Sequence, residues 1–242
     1  MPLFPLLEAI MIDLCTFTGL DNRTDLSRVA ALSAEFPYLE FGVLLSRTPE
    51  DKDARYPEFR KIENIVKTLS GRARLALHVC GRAVGEFVEG ASDIDDLVSA
   101  GIGRVQLNFS LPKVAFSPEE LDAAINRTSA KVITQHFPSN STLVTTLTSA
   151  DHQVLYDLSG GRGIAATDYA PPFSGKYTGY AGGLGPENAL ETASAIAAVS
   201  GSTPVWIDME SRIRTAGYLD LDKCETVARV VRPLIPTTGA AA

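Results

Sequence analysis

The sequence predicts an α/β protein of the (β/α)8 TIM-barrel class, with one domain over residues 1–242. Three observations predict it. Short apolar runs alternate with helix-forming segments along the chain, the pattern of a parallel sheet with crossover helices. The unit recurs eight times in 242 residues, the size expected of such a barrel. In the last third, VLYDLSGGRGI, YAGGLGPENA and VWIDMESRIRT each begin as an apolar run and end in a Gly-rich or polar loop. An open doubly wound sheet uses the same local units, but the strand count and the lack of an extra domain favour closure.

The elements follow in order. Ala9 to Cys15 reads as a buried strand, and a helix runs from Asp25 to about Glu35 with Thr24 or Asp25 as N-cap. Leu39 to Leu45 is the second strand. Its helix begins near Pro57, a residue suited to a first helical turn. Arg74 to Val79 is the third strand, with mostly helix up to Ala100. Gly103 to Asn108 is the fourth. Ser117-Pro118-Glu119-Glu120 then supplies a cap, a proline at the first position and acids in the first turn. Lys131 to Gln135, Gln153 to Asp157, Thr178 to Ala181 and Val205 to Asp208 complete the strands. Helices are expected from about Asn140, Pro186 and Asp222.

Composition narrows the partners. A net charge of −7 argues against a general nucleic-acid binder. No apolar stretch is long enough to span a bilayer, and the apolar start lacks a basic leader, so a cytoplasmic protein is expected. The three cysteines, Cys15, Cys80 and Cys224, are far apart and odd in number, which suits a reducing compartment rather than a disulfide framework. No metal-ligand spacing occurs. His78 and His136 read as hydrogen-bonded structural groups, and no metal is expected.

Alternate strand residues face a barrel's interior. If Cys15 points inward, so does Asp13; Gln106 pairs in this way with Asn108, Leu155 with Asp157, and Asp208 with Glu210. A thiol and several polar groups are thus expected to converge at the mouth, where barrel active sites form.

The motifs resemble the phosphoribosylanthranilate isomerase family of tryptophan biosynthesis. YDLSGGRGI is similar to that family's Asp followed by a phosphate loop. YAGGLGPENA is similar to its Ala-Gly-Gly-Leu-x-Pro-Glu-Asn, the most specific match. VQLNF, IDLCT and IDMESRIRT resemble its fourth, first and eighth strands. The resemblance implies a cofactor-free Amadori rearrangement of an aminoaldose phosphate to an aminoketose. Asp157 would be the acid and Cys15 the base, which requires environments that tune both groups. Gly161, Gly163, Gly182, Gly183, Ser211 and Arg212 would hold the phosphate. Arg55 or Arg47 would meet the anthranilate carboxylate. Asp13, Gln106, Asn108, Asp208 and Glu210 complete the implied substrate site, and the partner is a small molecule, most simply a sugar phosphate.

The site departs from the family pattern while the scaffold keeps it. Asp13 stands where the family has lysine, Asn108-Phe109 where it has His-Gly, and Ser211-Arg212 where it has Ser-Gly. Glu210 occupies the position of a small residue. Such a pattern fits an altered sugar-derived substrate, or a barrel that binds a small molecule without catalysing. Cys80, at the end of the third strand, is the rival thiol.

Overall fold

The computed structural model describes residues 12–47, 54–157 and 168–236. Eight parallel strands close into a barrel in chain order. They are β1 (Ile12–Leu20), β2 (Leu39–Ser46), β3 (Arg74–Cys80), β4 (Arg104–Asn108), β5 (Lys131–His136), β6 (His152–Tyr156), β7 (Thr178–Ala181) and β8 (Val205–Met209). Outside them run α1 (Leu26–Glu35), α2 (Phe59–Leu69), α3 (Arg82–Glu89), α4 (Ser92–Ala100), α5 (Pro118–Arg127), α6 (Leu143–Thr146), α7 (Ala189–Ser200) and α8 (Leu221–Val231). No helix of the described residues is long and apolar enough to cross a membrane.

Local chemistry sets the helix starts. The Asp25 carboxylate accepts from the backbone N–H groups of Ser27 and Arg28. Ser117 and Glu120 form a reciprocal capping box, so two backbone donors that the helix cannot satisfy find partners. The helical stretch after β3 breaks at Gly90, whose left-handed backbone closes α3 before α4 begins. The helix expected from Asn140 shortens to a single turn, α6, flanked by serines and threonines whose hydroxyls bond to nearby backbone. A two-stranded antiparallel ribbon, β9 (Arg214–Thr215) with β10 (Tyr218–Leu219), follows β8. It is tied to the end of β1 because the buried Asp21 carboxylate accepts from Leu219 N–H at 2.7 Å.

The largest departure from expectation is at β1, which continues through Thr16, Thr18 and Leu20. Cys15 lies mid-strand rather than at the strand's end. Hydrogen bonds show that Thr16 and Thr18 point into the barrel, toward Glu40 and Asp208. Alternation then turns Cys15 outward into the apolar layer under the helices, where Phe17 and Cys224 also lie.

The lowest interior level comes from the even strands: Glu40 on β2, Arg104 on β4, Gln153 on β6 and Trp206 on β8. Arg104 donates to Glu40 Oε1 at 2.9 Å and to Gln153 Oε1 at 3.0 Å. Its guanidinium carbon lies 4.1 Å from the centre of the Trp206 ring. Thr16 donates to the same Glu40 oxygen at 2.9 Å. Trp206 fills the barrel only because β7 offers a glycine beside it; a Cβ on Gly179 would overlap the indole.

Both members of the Glu40–Arg104 pair are buried. Arg104→Leu should therefore destabilise the protein by about 3–5 kcal/mol, because a carboxylate is left buried without its cation. The double variant Glu40→Leu/Arg104→Leu should recover most of that loss. Urea unfolding midpoints of the three proteins check it, and equal instability of single and double variants would contradict it.

Candidate active site

At the carboxyl ends of the strands the barrel opens into a cavity of ≈ 550 Å³. Nine of the residues expected at a site line it: Arg55, Gln106, Asn108, Asp157, Gly182, Gly183, Asp208, Glu210 and Ser211. Their strands bring them together. Gln106 and Asn108 are both inward on β4, Asp157 directly follows β6, and Asp208 is inward on β8 with Glu210 just beyond its end. Gly182 and Gly183 follow β7 with successive φ values of 114° and 64°. That left-handed turn folds the chain over the mouth and would strain any residue with a Cβ.

Three polar chains run around the wall. On one side Gln135 donates to Asp157 Oδ2 at 3.0 Å. On the adjoining wall, Gln106 Nε2 donates to Asn108 Oδ1 at 2.9 Å, and Asn108 Nδ2 donates to Cys80 Sγ at 3.2 Å. On the floor, the Thr18 hydroxyl donates to Asp208 Oδ1 at 3.0 Å and lies 3.3 Å from His78 Nε2. Burial pushes the Asp208 carboxyl up to about 8, against the pull of the Thr18 hydrogen bond, while Glu40 and Glu210 add to the rise. Burial pushes His78 down to about 3, so this imidazole is neutral. At the rim, Arg55 pairs with Glu210 at 3.3 Å across the gap between the β2 loop and β8.

Several expected residues lie elsewhere. Cys15 is fully buried on the helix side of β1, and burial raises its thiol well above the ordinary value, with Cys224 and Asp208 adding to the rise. Asp13 sits at the opposite end of the barrel from the mouth, where Tyr177 donates to its carboxylate. The expectation that both face the mouth is corrected: it set the strand's parity from an end placed too early. Arg47 turns outward, donating to Glu86 at 3.1 Å and pairing with Asp93, so Arg55 is the arginine at the mouth. Arg212 also points away, pairing with Glu187 outside the mouth. Gly161 and Gly163 lie outside the described residues.

Thr18, Gln135 and Lys113 also line the cavity and were not singled out by sequence. Thr18 belongs to a strand cut short in the reading, while Gln135 lay within the expected fifth strand; Thr-Phe-Thr after Cys15 alternates polar and apolar, which is the signal that could have extended β1. His78 has the hydrogen-bonded role expected of it. Among the described residues, no three His, Cys, Asp or Glu side chains form a group able to hold a metal ion.

No family model and no curated protein matches the chain. Solved structures do match. Phosphoribosylanthranilate isomerase from Thermotoga maritima aligns over 92% of this chain and 100% of its own, with TM-score 0.60 and 16% identity. The isomerase from Thermus thermophilus aligns over 91% and 99%, with TM-score 0.60 and 17% identity. The fold is that of the phosphoribosylanthranilate isomerases. Thiamine phosphate pyrophosphorylase from Pyrococcus furiosus shares it more loosely, at TM-score 0.52 and 14% identity over 95% of this chain and 100% of that one. At such identities the likeness describes architecture, and the site must speak for the chemistry.

The raised Asp208 carboxyl has a consequence for stability. Its native value of about 8 exceeds the ordinary 3.8, so the native state holds this proton more tightly than the unfolded chain. The stabilisation is full below pH ~3.8 and is lost as pH rises through ~8. Asp208→Asn stays neutral, so its melting temperature relative to wild type should rise between pH 5 and pH 9. Thermal melts across that range check this; a difference that does not change with pH would mean Asp208 is ionised in the native protein.

Proposed function

We propose that the protein is an acid–base isomerase that converts a sugar-derived aminoaldose to an aminoketose, with Asp157 as the proton donor. The observation that carries the reading is Asp157 itself: a carboxyl group 4% exposed, held by Gln135 in the barrel-mouth cavity of an isomerase-like fold. In the reaction Asp157 gives its proton to the ring oxygen. The C1–O bond breaks and the nitrogen lone pair forms an iminium. A base then takes the C2 proton, and the C–H electron pair neutralises the iminium as an enaminol. Reprotonation at C1 gives the ketone, and the enol hydroxyl proton restores Asp157. C1 is reduced and C2 oxidised within one molecule, so electrons balance without a partner. Gln106, Asn108 and Ser211 supply the hydrogen-bonding groups a polyhydroxylated ligand needs.

The substrate differs from the phosphorylated anthranilate aminoaldose. Glu210 lines the cavity beside Ser211 and the Gly182–Gly183 turn, where its cationic partner is Arg55 at 3.3 Å, while Arg212 is turned outward to Glu187. A bare carboxylate repels a phosphate dianion by about 4 kcal/mol per charge pair at 4 Å and an effective dielectric of 20; the Arg55 pairing offsets part of this and at the same time engages the rim arginine that could otherwise meet an anion. An aminoaldose without phosphate at that end fits better. The burial of Cys15 favours a second reading, a barrel that binds such a ligand without turning it over.

Turnover assays with phosphoribosylanthranilate and with its dephosphorylated ribosyl counterpart separate these readings. The unphosphorylated compound should be preferred in kcat/KM, and Glu210→Ser should shift the preference toward phosphate by about tenfold or more. Asp157→Asn should lower kcat by about 100-fold or more with KM little changed, since the amide keeps the shape but cannot deliver a proton. Binding of either compound without turnover would support the second reading, and neither binding nor turnover would overturn the proposal.

A further inference from the structure

Resting on that reading, the isomerase chemistry needs a group to move a proton between neighbouring carbons, and Cys15 is sealed away from the cavity. We infer that Cys80 is this group, and that Asn108 is the residue that positions its sulfur. Cys80 closes β3 inward at the mouth and is, of the three cysteines, the one that lines the cavity and is not buried. The Asn108 Nδ2 hydrogen aims at Sγ from 3.2 Å. That N–H serves a thiolate better than a thiol, because it donates to the charged form, whereas the long bond from the thiol to the His78 carbonyl at 3.7 Å serves the protonated form. Asn108 is in turn oriented by Gln106 Nε2 at 2.9 Å.

A second observation marks this wall as a place for a ligand. Gln106 is 3% exposed and lines the cavity, yet its Oε1 is a buried acceptor with no partner. A buried acceptor left unmatched is destabilising, and a substrate hydroxyl would satisfy it. Cys80 and Asp157 stand three strands apart, across β4 and β5. At about 4.8 Å per strand, a ring-sized molecule fits between the inward side chains of such strands. Asp157 thus meets one side of the sugar and Cys80 the other. The Cys80 thiolate takes the C2 proton as the C–H bond breaks and an S–H bond forms. The same S–H returns the proton to C1, so the sulfur ends as it began.

Iodoacetamide labelling and turnover test this together. In the wild-type protein one carbamidomethyl group should appear, at Cys80, and turnover should fall in proportion to labelling. Asn108→Leu should slow labelling at pH 7 about fivefold or more and move the midpoint of its pH profile upward, an effect that a merely structural asparagine would not produce. Cys80→Ser should lose turnover by about 1000-fold with an unchanged melting temperature, while Asp157→Asn should label at the wild-type rate. Wild-type turnover that survives in Cys80→Ser, or labelling at Cys15 or Cys224 in place of Cys80, overturns the assignment of Cys80 alone. An unchanged pH profile in Asn108→Leu overturns the role of Asn108. Absence of turnover in the wild-type protein removes the isomerase reading itself.

Discussion

The Arg104 guanidinium holds the lowest polar level of this barrel together. It binds Glu40 on β2 and Gln153 on β6 while lying over Trp206 on β8, so one side chain from β4 links all the even strands. A charge in a barrel interior survives only when its partners are supplied, and here they come from three separate strands. The resulting register decides which residues stand two and four positions higher. On β4 those are Gln106 and Asn108; on β6, Leu155 and Asp157; on β8, Asp208 and Glu210. The mouth is therefore a consequence of its floor.

Above that floor the polar groups sort by burial. Asp208 and His78, joined through Thr18, are both held neutral by desolvation, one carboxyl pushed up and one imidazole pushed down. They form a rigid, uncharged base for the cavity. At the rim, Arg55 and Glu210 form a charge pair at 3.3 Å. Side chains between that floor and the rim, such as Asp157 and Gln106, lie in a partly desolvated space, where the fields of fixed dipoles are strong.

The helical shell is tied to the barrel by different means. Asp25 and the Ser117–Glu120 box start α1 and α5, and Asp21 anchors the β9–β10 ribbon to the end of β1. The isomerases of known structure share this architecture at 16–17% identity, a likeness of scaffold. At the mouth of this chain Glu210 faces the cavity and Arg212 turns outward to Glu187.

Much of the architecture was legible in the amino-acid order because strand and helix signals are local. Leu39, Arg74, Thr178 and Val205 begin their strands where apolar runs and flanking polar residues say they should, and Ser117 caps its helix by chemistry written in four residues. Asp157, Gln106, Asn108, Asp208 and the glycines at 182 and 183 could likewise be placed at the carboxyl ends of strands. What the order alone did not settle was parity and partnership. Whether β1 stops at Cys15 or runs on to Leu20 depends on pairing with β2 and β8, and that one difference moves the thiol from the mouth to the helical layer. Whether Arg47 or Arg55 reaches the cavity depends on the carboxylates of α3 and α4, which capture Arg47. Strand pairing and ion pairing join residues far apart in the chain, so only the closed barrel could decide which side chains meet.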